Sequence, residues 1–150
     1  MEQSIKEYAD ALYIKELSEA RKNYTNELNA ASREMGQRGL TRSGIALGKM
    51  IEIGAAFVGR QMKARLVSFQ QAFEQAGGKP SQDELQEIWR ATEDVYENGI
   101  RGLGNSMQQR ALQTGSPRNF GAESIRPVAA HHHDEVLGDW NVWRRRVGNP

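Results

Sequence analysis

The densest run of reactive side chains in the sequence is His131-His132-His133-Asp134-Glu135. Imidazoles beside carboxylates are the ligand types of zinc and other divalent-metal sites. Consecutive side chains diverge on a helix, however, and only His131 and Glu135, four residues apart, share a face. A metal-dependent enzyme built on this run would use His131, His133 and Glu135. The spacing favours the other reading, a solvated flank ahead of a short helix, so neither a metal nor a cofactor is expected. The chain has three histidines, all in this run, and no cysteine. A Ser-His-Asp site would therefore need the tail to dock onto the rest, and thiolate chemistry and disulfides are excluded. Gly99-x-x-Gly102-x-Gly104 follows no expected strand, so it does not read as a phosphate-cradling loop. No catalytic residue is expected and the chain reads as a non-enzyme.

A second concentration lies close by. Trp140 and Trp143, three apart beside Val136 and Leu137, form a compact apolar anchor, and Arg144-Arg145-Arg146 can grip carboxylates or phosphate. These five residues are the expected partner-binding tail, reaching to an adjacent subunit or to another component. The plainer alternative is a terminal helix folded back on its own bundle.

The third pattern is made of small residues. Gly44, Gly48, Gly54 and Gly59 interrupt the apolar run Ile45 to Val58. Each glycine costs up to ~1 kcal/mol relative to alanine inside a helix, so four of them need a compensating reason. Close helix packing supplies it. Gly44, Gly48, Ala55 and Gly59 are the expected interface, with Gly99 and Gly102 offering a matching flat surface. A membrane-active protein inserting residues 44–59 is the rival reading, because small residues also let helices approach in lipid. Lys49 and Glu52 argue against it, as does a length of about 21 Å, short of the ~30 Å hydrocarbon core.

The elements that must carry these residues are helices. Tyr13, Leu17, Ala20, Tyr24, Leu28, Ala31 and Met35 fall on one helical face, with an 11-residue repeat that suits straight packing. Ser4 is the expected N-cap and Gly36 the expected stop. A second helix, capped by Thr41 or Ser43, runs to about Ala76, where Gly77-Gly78-Lys79-Pro80 ends it. The third opens on a capping box, Ser81 with Glu84, and continues through Leu85, Ile88, Trp89, Thr92, Val95, Tyr96, Leu103 and Met107. A kink or an interruption is expected at residues 98–104. After Thr114 periodicity fades until a short helix at residues 134–146.

Composition bounds the function. The 150 residues carry 20 basic and 19 acidic side chains, a formal charge of +1, which points to no nucleic-acid partner. Apolar residues make up 38% and charged ones 26%, lean for a globule yet too balanced for disorder. The segments 1–35, 36–79 and 80–114 alternate as net acidic, basic and acidic, which suits a stack of helical hairpins. The acidic, amphipathic start lacks the features of a signal peptide, so the expected compartment is the cytoplasm.

The Gln/Ala-rich helices joined through Gln37-Arg38-Gly39-Leu40-Thr41-Arg42-Ser43-Gly44-Ile45-Ala46, followed by a Gly-punctuated helix, resemble helical internal, neck or ejection-type structural proteins of tailed phages over residues 20–76. That resemblance implies assembly into rings around a DNA path, a place in the virion, and no catalytic residues. The expectation is thus an all-α protein: an elongated bundle of three long helices over residues 1–114, and an extended tail, 115–150, ending in a short helix. It self-associates and joins a larger assembly.

Overall fold

A computed structural model describes residues 1–40, 44–113 and 121–148, and every element among them is an α-helix: α1 (Gln3–Gln37), α2 (Gly44–Ala76), α3 (Gln82–Gln113) and α4 (Ala122–Gly148). Successive helices run antiparallel, which places α2 parallel to α4. The first three, of 35, 33 and 32 residues, are each about 50 Å long and well matched, so the bundle is elongated and none of them greatly overhangs its neighbours.

α2 is the central rod. It buries fifteen residues against five for α1, and it packs against α1, α3 and α4. Its glycines and alanines set the separations, while Met62, Leu66, Phe69 and Phe73 fill the shared core with Ile88, Ile100 and Ile125. The 11-residue repeat of α1 appears as Ala9, Ala20 and Ala31, which lay a flat surface on α2. Tyr13, Leu17, Tyr24 and Leu28 lie on the expected face but are only half-buried, because α1 runs beside α2 alone among the described residues.

Helix ends follow local chemistry, with two shifts. α1 starts at Gln3 after Glu2, with no side-chain cap, rather than at Ser4. It passes Gly36 and stops in a Schellman motif: Gly39 adopts φ 71°, the Leu40 amide donates to the Met35 carbonyl at 2.8 Å, and the Gly39 amide donates to Gly36. Gly39 is the stop because the motif needs its left-handed residue one place beyond the C-cap. Thr41 and Ser43 lie outside the described residues. At α3 the capping box forms as expected, the Glu84 amide donating to Ser81 Oγ at 3.1 Å and the Ser81 amide to Glu84 Oε1 at 3.0 Å.

Two expectations are overturned. The glycines at 99, 102 and 104 do not interrupt α3. Gly99 admits Val58, and Gly104 admits the backbone of Gly121 and Ala122, so they are sites of close approach within a continuous helix. The tail is not extended with a short terminal helix either. α4 spans 27 residues, and its Ile125, Ala129, Val136, Trp140 and Trp143 join the common core. Pro127 and the polar histidine run mask its periodicity in the sequence. Pro127 lies inside the helix at its sixth residue, where it removes the amide that would otherwise donate to the Glu123 carbonyl, a cost the buried stripe on either side must offset.

Candidate interaction surface

The α1–α2 face is built from one stack and two ion pairs. Tyr24 lies flat on Phe57 with centroids 4.4 Å apart and 12° between planes. Arg60 donates to Glu27 at 2.8 Å. Arg65 donates to Asp10 at 2.8 Å while its guanidinium sits over the rings of Tyr13 and Phe69 at 4.9 and 4.3 Å. Its second terminal nitrogen is buried without a hydrogen-bond partner. Burial pushes the Tyr13 and Tyr24 phenols above their ordinary value, and Arg65 partly offsets this for Tyr13. The acidic first helix thus meets a basic second one, as the charge alternation predicted.

Among the described residues both flanks of α1 are open. On the α3 side, Tyr24 and Phe57 face Gly99, Gly102 and Leu103 across an apolar recess of about 280 Å³. On the other side Glu16 and Glu19 overlook Ala64 and Val67 across about 310 Å³. Ile14 is 66% exposed and Tyr8 43%, both on α1. Ile45, at the start of α2, is 60% exposed.

The expected packing residues divide into two groups. Ala55, Gly59 and Gly99 do bring helices together within the chain: Ala55 is buried, an added Cβ on Gly59 would meet His132, and one on Gly99 would meet Val58. Gly44, Gly48 and Gly102 do not. Among the described residues a Cβ at any of them would meet nothing within 4 Å. Gly54, beneath Leu103, and Gly104 belong to the contacts instead. Glycine spacing alone could not separate the groups, because which side of α2 faces a neighbour depends on how α1, α3 and α4 surround it.

The histidines part company. His131 is exposed, with its ring 3.8 Å from that of His132. His132 seats on Gly59, where burial and the neighbouring His131 lower its pKa. His133 turns to α3, its Nε2 2.6 Å from Glu93 and its ring 4.7 Å from Tyr96. Arg126 and Glu97 form a two-pronged pair on the same seam, both contacts 2.7 Å. Among the described residues no three His, Asp or Glu side chains are grouped to hold a metal ion. His133, paired with Glu93 of α3, is turned away from the face that His131 and Glu135 share.

The partner-binding tail also divides. Trp140 and Trp143 are 6% and 3% exposed inside their own chain, Trp140 stacked on Trp89 at 5.4 Å. They are core residues rather than anchors for a neighbour, since a 27-residue α4 carries them onto α3 and α2. Arg144, Arg145 and Arg146 remain on the surface, Arg146 facing Glu74 at 3.9 Å. No described helix is long and apolar enough to cross a membrane. Comparison with known families, curated sequences and solved structures finds no match to this chain.

Proposed function

We propose that the chain is a non-enzymatic helical assembly protein that associates with copies of itself, in the manner of the internal, neck or ejection components of tailed phages that residues 20–76 resemble. The observation that carries this reading is the placement of α1. Among the described residues a helix of 35 residues packed along a single neighbour leaves two open flanks, with Ile14 and Tyr8 exposed on it. Gly44 and Gly48, clear of every other described residue, add a flat face beside exposed Ile45. Surfaces of this kind suit helices of other subunits, which gain contact area by close backbone approach. Residues 44–59 offer lipid little, since Ile51, Ile53, Ala55 and Val58 are already buried in the bundle.

Native mass spectrometry of the full chain at micromolar concentration tests the proposal. Discrete oligomers that weaken with Ile14→Asp are expected. A strictly monomeric particle overturns it.

A further inference from the structure

One recess differs in charge from the other open ones. At the end of the bundle where α3 begins and α4 finishes, Gln82 and Gln86 of α3 face Arg144 and Arg145 of α4 across about 360 Å³, with Trp140 and Leu85 as an apolar floor. Among the described residues no carboxylate lines it. The recess between α2 and α4 also holds a lysine and an arginine, but Lys63 is 3.6 Å from Asp139 and Arg60 2.8 Å from Glu27. Arg146, on the same turn of α4, faces Glu74. Arg144 and Arg145 have no ion-pair partner among the described residues.

Two arginines and two carboxamides therefore line one space, the Gln82 amide already donating to the Gly148 carbonyl at 3.4 Å on its rim, and no carboxylate of the described residues occupies it. Arg144 and Arg145 both line the recess although consecutive helical residues leave the axis about 100° apart, because their long side chains come to it from different directions. A planar carboxylate is satisfied by one arginine fork lying in its plane. A tetrahedral oxyanion, with oxygens on every side, accepts two forks and two carboxamides together. The apolar floor keeps water from one side of the bound group.

We propose that this recess binds a phosphate group, either free or as a small phosphomonoester that its open mouth admits. The inference is independent of self-association.

The test is a nuclear magnetic resonance titration of the full-length protein near pH 8, where phosphate is dianionic. The side-chain amides of Gln82 and Gln86 report, with ionic strength held constant by chloride. Saturable shifts with phosphate and with glycerol phosphate are expected, and binding of acetate on the order of tenfold weaker. The pair R144Q/R145Q, whose exposed positions leave the helical circular dichroism unchanged, lowers phosphate affinity by at least about tenfold. K79Q, an exposed cation outside the recess, leaves it intact. Tighter binding of glycerol phosphate than of phosphate assigns the monoester, and the reverse order the free anion. Linear shifts without saturation, an equal response to acetate, or undiminished binding by the R144Q/R145Q protein overturns the proposal.

Discussion

His132 of α4 rests on Gly59 of α2 so closely that a Cβ added to the glycine would lie 2.6 Å from the histidine Cβ. The glycine that looked costly inside an apolar helix is thus the point where α4 reaches the central rod. The contact involves the root of the imidazole side chain, which cannot swing aside as a long side chain's tip can.

Gly59→Ala is accordingly expected to destabilise the fold by about 1–3 kcal/mol, the range for overpacking a close contact. Urea denaturation measures it. Unchanged stability would show that α4 does not seat on α2 as described.

Gly48 gives the opposite sign. Among the described residues nothing lies within 4 Å of its added Cβ, so Gly48→Ala is expected to raise stability by about 0.5–1 kcal/mol through helix propensity. Gly48→Leu should then spare the melting of an isolated chain yet reduce oligomer mass, if copies pack on this face. Loss of monomer stability in either variant would place Gly48 inside the bundle instead.

Trp143→Ala should cost about 3–5 kcal/mol, the usual penalty for emptying a large aromatic site in a core. Equilibrium unfolding followed by circular dichroism gives the value. A loss below ~1 kcal/mol would return the tryptophan to the surface role that its sequence position first implied.

Acid should weaken the protein in two stages. Burial holds the His132 pKa below its ordinary 6.5, so the unfolded chain binds the proton more readily. Stability from this site is complete above about 6.5 and declines as the pH falls toward the lowered folded value. The hydrogen bond from Arg126 holds Glu97 below its ordinary 4.5, and that contribution is lost as the pH drops further, through its own folded value. Thermal melts across pH 8 to 3 should show both steps. His132→Gln should flatten the first and leave the second.

Ile14→Asp tests the open flank of α1. The side chain is two-thirds exposed, so the isolated chain should keep its stability within about 0.5 kcal/mol while oligomers weaken. Light scattering over a concentration series reads the change, and identical masses for both proteins would remove this flank from the interface.

Much of the architecture was legible along the chain. The one-face spacing of Tyr13 through Met35, the Ser81–Glu84 capping box and the Gly77–Pro80 break are local patterns, and local hydrogen bonding enforces them. The fourth helix was also written there, as Ile125, Ala129, Val136, Trp140 and Trp143 at spacings of 4, 7, 4 and 3. Pro127 and three histidines obscured it, because periodicity is read from apolar residues and these are not apolar.

By itself the sequence determined that the protein is made of long helices, where the third begins, and which stripe of the first three is apolar. Backbone hydrogen bonding and side-chain periodicity act within a dozen residues and leave no other choice. Only the tertiary structure decided which stripes meet. Three neighbours share one central rod, so Gly59 and Gly99 lie inside contacts while Gly48 and Gly102 face open space, and the tryptophans sink into their own core as the arginines beside them stay outside. That partition depends on where other helices stand around each axis, a property of the packed whole that no local spacing encodes.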